Sequence, residues 1–202
     1  MQGHDVSLLV TFFRYELKGN QNLTSKLHAS TSLQNTKGAE FMMKIAEVEK
    51  LCNTILVLTC PELHETGMKA LDEVRAGKNM HREYNNIDLW PSCFTGMQVI
   101  VNRTTPPHRD KGGSPPLFDL LVSAGNHTSA KFILPEIGLE LSYLPGSVVI
   151  LCGRIFLHKV PGWDGGERIC VAHMMKDNVH DRQDIARPSW PMQSRYLSHL
   201  RS

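Results

Sequence analysis

Nowhere does this chain hold the roughly 20 consecutive apolar residues that a membrane-spanning helix needs, so a helical membrane protein is not expected. Cysteine is scarce and scattered. The five residues Cys52, Cys60, Cys93, Cys152 and Cys170 form no C-x-x-C pair, and their odd number suits a reduced compartment better than a disulfide framework. Neither sign of charge dominates: 22 Lys and Arg against 20 Asp and Glu leave +2, which neither demands nor excludes a nucleic acid. A secretory leader is also missing from the reading. The apolar patch at 8–13 follows Asp5 and precedes no small-residue cleavage site, so an intracellular location is expected. There is no internal repeat and no low-complexity tract. What remains is 202 residues, 41% apolar and 21% charged, enough for a packed core in a single domain.

Two textures divide that domain. Between 37 and 77 the pattern is helical: Phe41, Ile45, Val48, Leu51 and Cys52 recur at three- and four-residue steps. Pro61 sits where a second helix begins, Leu63, Met68, Leu71 and Val74 continue an apolar stripe, and Gly77 marks its stop. The polar segments 19–37 and 78–86 read as loops. After Asp88 come short β-type runs at 96–102, 118–124, 131–134, 139–143, 147–152, 155–160 and 168–175, divided by Gly and Pro. Pro145-Gly146 is a tight-turn pair, because proline presets φ and glycine accepts the positive φ that follows. Helices first and strands afterwards predict an α+β fold, with the strands closing into a sandwich or barrel. On this reading 1–87 is mainly helical support, 88–177 the strand-built core and 178–202 a C-terminal arm.

The chemistry concentrates in the second half. His108-Arg109-Asp110 follows a strand, in a loop rich in Pro and Gly, and His158 and Arg168 follow about fifty residues later. If Val160 pairs with Gly166 across the Gly162-Trp163-Asp164-Gly165-Gly166 loop, His158 and Arg168 face each other on one hairpin. Two histidines and one carboxylate on a rigid barrel make a facial triad for non-haem Fe(II). Three protein ligands leave three positions, two for a chelating 2-oxo acid and one for O2. The distal carboxylate of that acid calls for a buried arginine, whose planar fork grips carboxylate in bidentate fashion, and Arg168 is so placed. Arg103, Arg109 and Lys111 flank the His108 loop, and Arg154 and Lys159 flank His158, as phosphate contacts would require. Trp163, beside His158, is assigned to the site. Trp90 reads as core, His127 and His173 as structural, and His81-Arg82-Glu83 as a solvated cluster.

The string from Val101 to Asp110, Val-Asn-Arg-Thr-Thr-Pro-Pro-His-Arg-Asp, with Phe118-Asp119-Leu120-Leu121 after it, resembles the TET/JBP class of 2-oxoglutarate/Fe(II) dioxygenases. It is most similar to the compact versions found in mushroom-forming fungi. His158 and Glu167-Arg168-Ile169-Cys170 agree with that resemblance, which spans about 89–177. It implies a double-stranded β-helix, or jelly-roll, core buttressed by the N-terminal helices. It implies iron ligation by His108, Asp110 and His158, 2-oxoglutarate binding by Arg168, O2 as cosubstrate and ascorbate as a reductant in vitro. The implied reaction oxidises a methyl group on a DNA base, 5-methylcytosine above all, so methylated DNA is the expected partner and the nucleus the expected location.

Three positions depart from the family pattern. Gly113 stands where related enzymes carry a polar base-reading residue, Met174 where they carry an aromatic, and Lys176 where they carry a histidine. These departures admit N6-methyladenine, a protein side chain or a small molecule as substrate. A non-catalytic jelly-roll binding module is the contrasting reading.

Overall fold

The computed structural model describes residues 6–10, 27, 29–30, 34–77, 80 and 86–192. The chain divides into two compact units, one taking residues 1–11 and 96–175, the other 12–95 and 176–202. The polar cluster at 81–83 and most of the two loops read from composition lie outside the described residues.

The first unit is the jelly roll. A five-stranded sheet has the order β1-β2-β9-β4-β7 and a four-stranded sheet the order β3-β8-β5-β6. The strands are β1 (Val6–Val10), β2 (Gly96–Val101), β3 (Thr105–His108), β4 (Asp119–Gly125) and β5 (Lys131–Leu134). They continue with β6 (Leu139–Ser142), β7 (Val148–Leu151), β8 (His158–Val160) and β9 (Arg168–Met174). Every pairing is antiparallel. The core between the sheets is built on Leu121, Phe132, Tyr143, Leu151, Val160 and Ala172. Pro145-Gly146 turns as its chemistry requires: Gly146 has φ +90° and the Ser147 amide donates to the Leu144 carbonyl at 3.0 Å. That turn carries the chain from one sheet to the other, since β6 and β7 belong to different sheets.

Three strand expectations change. β1 forms in the apolar patch to which no element was assigned, pairing with β2 from Val6↔Val101 to Val10↔Met97. β3 forms through Thr105-Pro106-Pro107, where the prolines suggested only a loop. Proline cannot donate to a ladder, but β3 is an edge strand, where one side needs no donors. The run expected at 155–160 keeps only its last three residues. The amides of Ile155 and Phe156 both donate to the Cys152 carbonyl at 3.0 Å, and this turn displaces the strand until His158.

In the second unit α1 (Thr36–Thr59) and α2 (Pro61–Arg75) form where the pattern placed them. Asn35 caps α1 by accepting from the Gly38 amide at 3.0 Å, Pro61 opens α2, and Gly77 follows its end with φ +80°. The buried face of α2 contains Leu63, Leu71 and Val74, with Met68 half-buried. α1 differs. Its buried residues are Gly38, Met42, Glu49, Cys52 and Leu56, while Val48 and Leu51 of the expected stripe are exposed. Apolar residues surround most of this helix, so periodicity alone does not select the inward face. Trp90 is buried and donates its indole N–H to the Phe94 carbonyl at 2.8 Å, as a core residue should. All five cysteines are free. Burial, then the charge of Glu49, pushes the Cys52 thiol up to about 12, which makes it inert as a nucleophile.

The segment read as an arm begins as a short helix, α3 (Asp177–Gln183). Arg187 staples it, donating from Nε to Asp177 at 3.0 Å and from Nη2 to Asp181 at 2.6 Å. His180 within it is fully buried with neither ring nitrogen hydrogen-bonded. Burial, then the nearby Arg187 charge, lowers its pKa from 6.5 to about 4. Below pH 6.5 the unfolded chain takes up a proton that the folded chain refuses. Stability should therefore fall from pH 6.5 to pH 4 and level off below, by at most about 3 kcal/mol. In His180→Leu that component disappears, and urea unfolding at pH 7 and pH 4.5 measures the difference.

Candidate metal and cosubstrate site

His108 closes β3, Asp110 lies two residues beyond, and His158 opens β8. The antiparallel pairing of β3 with β8 sets His108 directly opposite His158, with ring centroids 4.2 Å apart. Asp110 lies between them: its Oδ1 is 3.4 Å from His108 Nε2 and its Oδ2 is 3.5 Å from His158 Nε2. One donor atom from each residue lies within 4.8 Å of the others.

The backbone chooses which nitrogen of each ring faces inward. His108 Nδ1 lies 3.0 Å from the Pro106 carbonyl, and His158 Nδ1 3.0 Å from the Phe156 carbonyl. A carbonyl only accepts, so each Nδ1 donates there and each Nε2 is the nitrogen that faces Asp110 and can take a metal. Burial lowers the pKa of His158, with the Phe156 bond and Asp110 opposing and His108 adding to the shift, which favours the neutral ring. Two imidazoles and a carboxylate converging on one point are the donor set of a divalent iron site with open positions.

Asp110 approaches backbone as closely as chemistry permits. Its amide donates to the Gly153 carbonyl at 2.9 Å, and a Cβ on Gly153 would collide with Asp110 Oδ2 and sit 2.5 Å from Asp119 Oδ2. Any larger residue at 153 would displace one carboxylate or the other, and Asp119, unlike the half-exposed Asp110, is buried. Asp119 belongs to the string that carries the family resemblance, but its place beside Asp110 and Gly153 is visible only once the barrel closes.

Arg168 opens β9 in the opposite sheet and is 1% exposed. The hairpin expected between His158 and Arg168 does not form: β8 pairs with β3 and β5, β9 with β2 and β4. Gly165 and Gly166, at φ +55° and +62°, help the intervening loop cross between sheets, and it is held there by Asn126, Thr128 and Ser129. The Arg168 backbone is locked instead to Asn102, whose side chain accepts from the Arg168 amide at 2.9 Å and whose own amide donates to the Arg168 carbonyl at 2.8 Å. Asn102 has φ +52°, a left-handed conformation that asparagine tolerates better than most residues.

The guanidinium donates Nη1 to the Arg103 carbonyl at 2.9 Å and lies 5.6 Å from the centroid of Tyr143 and 5.8 Å from that of Trp163. Its Nε is buried without a hydrogen-bond partner, and among the described residues no carboxylate pairs with it. A buried cation costs several kcal/mol unless an anion compensates it. The orphaned edge therefore fits an incoming carboxylate, and the residues present suit a 2-oxo acid. Trp163 is at the site, packed on this cation, and Tyr143 is a contributor that sequence reading missed.

Of the basic residues read as phosphate contacts, Arg103, Lys111 and Arg154 are exposed and Lys159 is half-buried. Arg109 is committed to the protein: Nε donates to the Ile155 carbonyl at 2.9 Å and Nη2 pairs with Glu136. His127 and His173 are buried and bonded to the Tyr143 and Leu120 carbonyls at 3.0 Å, consistent with structural roles.

Comparison with known proteins agrees with this geometry. The Tet_JBP family profile, the oxygenase domain of the 2OGFeDO superfamily, matches residues 12–177. No curated protein matches by sequence. Among solved structures, NgTET1 in complex with 5mC DNA is similar over 97% of this chain and 69% of that one, at 11% identity and TM-score 0.61, a likeness of fold. A cupin 2 conserved barrel protein from Salinispora arenicola is similar over 44% of this chain and 69% of that one, at 15% identity and TM-score 0.32.

Proposed function

The chain belongs to the Tet/JBP family of oxygenases, which use Fe(II) and 2-oxoglutarate, and on that footing we propose that it oxidises a methyl group on a DNA base. In this reading the base is 5-methylcytosine, the first product is 5-hydroxymethylcytosine, and further oxidation can follow. The observation that carries the reading is the pairing of a His108-Asp110-His158 donor set with a buried, uncompensated Arg168 in the same barrel. DNA as the substrate draws support from the fold shared with NgTET1, which was determined with 5mC DNA, and from the exposed Arg103, Lys111 and Arg154.

His108, Asp110 and His158 would hold the iron. Arg168 would grip the distal carboxylate of 2-oxoglutarate, with the aromatic faces of Tyr143 and Trp163 keeping the cation in place. When bound, Fe(II) with 2-oxoglutarate and O2 supplies the oxidising power, releasing succinate and CO2. The chain's own task is to fix the neutral imidazoles through Nδ1, leave the other coordination positions free, and bring one methyl C–H close to the metal. A base inside a duplex has to be flipped out to reach such a centre. Gly113 keeps N6-methyladenine as the second reading: a Cβ there would meet the Met175 carbonyl at 3.3 Å, so no base-reading side chain is offered from that position.

Phosphate contacts make a specific demand. DNA should stimulate 2-oxoglutarate decarboxylation, and with four phosphates neutralised the apparent DNA affinity should drop about 100-fold between 50 and 200 mM salt. Decarboxylation indifferent to DNA at every salt concentration would contradict the nucleic-acid reading and leave the oxygenase in place.

A further inference from the structure

We propose that Glu136 is a positioning residue for the metal centre, holding the two ligand-bearing segments at a fixed separation. The inference rests on the ligand reading above and adds a residue from neither segment.

Glu136 sits on a one-turn 3-10 helix, Pro135–Ile137, between β5 and β6. Its two carboxylate oxygens serve different partners. Oε1 pairs with Nη2 of Arg109, the residue between His108 and Asp110. Oε2 accepts from the Leu157 amide, one residue before His158, at 2.9 Å. Arg109 also reaches across to the Ile155 carbonyl at 2.9 Å. One side chain thus ties the His108-Asp110 loop to the approach of His158.

The backbone does not do this alone. The β3–β8 ladder has only two matched pairs, Thr105↔Val160 and His108↔His158, with a register shift between them. Asp110 lies beyond the ladder altogether, and the turn at 152–156 takes the preceding amides of the other segment. A metal site needs its donors held to within about half an ångström. Beyond that short ladder the backbone adds one link, from the Asp110 amide to the Gly153 carbonyl, and Glu136 supplies a further brace between the segments. The Arg109 and Glu136 side chains are 46% and 42% exposed, and exposed ion pairs contribute little to folding. Their value lies in geometry, and on this proposal Arg109, read from sequence as a DNA contact, has a part in holding the metal site.

The test uses the full chain without metal, titrated with Co(II) as a spectroscopic probe, with apo melting temperature measured in parallel. Glu136→Ala should weaken Co(II) binding about 10–100-fold, the range for removing a group that orients a ligand, with little change in apo melting temperature. Arg109→Ala should do the same, and the double variant should be no worse than either single one, because both remove one bridge. Glu136→Gln, whose amide keeps one acceptor oxygen, should fall between wild type and Glu136→Ala. Wild-type affinity in Glu136→Ala while Asp110→Ala loses binding would overturn the positioning role and spare the ligand reading. Wild-type affinity in both would overturn the ligand reading itself. A large fall in melting temperature with Co(II) affinity unchanged would make the bridge a folding contact.

Discussion

Replacing Asp110 with alanine should abolish Fe(II) binding and, with it, oxygen-dependent consumption of 2-oxoglutarate. Groups that merely orient a metal ligand are worth about 10–100-fold in affinity, so loss of the anionic ligand should exceed about 100-fold. Asp110 stands between both imidazoles, and without it two neutral nitrogens are left to hold a divalent ion. Gly153→Ala should weaken Fe(II) binding in the same direction without replacing a ligand. Its methyl group would occupy the space of Asp110 Oδ2, with Asp119 closing off the other side, so the carboxylate has to turn out of its position. Anaerobic Fe(II) titration of the two variants checks this. Normal affinity in Gly153→Ala would mean that the Asp110 carboxylate accommodates the methyl group and still reaches the metal.

The second large effect belongs to Arg168. Arg168→Ala should raise the KM for 2-oxoglutarate roughly 100-fold or more, since removing one partner of a buried charge pair costs about 2–5 kcal/mol. Arg168→Lys should recover only part of this, because an ammonium cannot present the two parallel donors of a guanidinium. The same cation should act in the opposite sense on the apo protein. Arg168 is buried with its Nε unsatisfied, so Arg168→Met removes an uncompensated charge and should leave the apo melting temperature equal or higher. Added 2-oxoglutarate should stabilise the wild type by mass action and leave the variant unmoved. Thermal melts with and without cosubstrate give both answers. A variant that is less stable without ligand yet keeps its KM would show that Arg168 is a core residue and not the cosubstrate anchor.

The legible parts of this protein were those written in local chemistry. Glycine and proline punctuation located most strands, because proline fixes φ and Gly146, Gly165 and Gly166 take the positive φ that other residues avoid, so such residues mark turns. Pro61 and Gly77 bounded α2 for the same reason. Histidine, aspartate and arginine in their order announced the metal and cosubstrate chemistry, since few other reactions want two imidazoles, one carboxylate and a buried fork together. The illegible parts depended on partners distant in sequence. β3 was hidden because proline argues against a strand unless its outer edge is free, and only the assembled sheet reveals an edge. The expected hairpin failed because register across a five-residue glycine-rich loop is undetermined until other strands compete, and β8 pairs with β3 and β5 instead. Glu136, Gly153 and Tyr143 carry no signal of their own. Each matters through a contact that the closed barrel creates.

The central claim is oxidation of a methyl group on DNA, and one measurement addresses it directly. The Fe(II)-loaded protein is incubated with 2-oxoglutarate, ascorbate and duplex DNA carrying 5-methylcytosine or N6-methyladenine, beside His108→Ala. The DNA is then digested and its nucleosides identified by mass spectrometry. The account predicts 5-hydroxymethylcytosine from the wild type and none from the variant. Loss of methyl from adenine alone would keep the chemistry and replace the base. Steady consumption of 2-oxoglutarate with every nucleoside unchanged would contradict the claim.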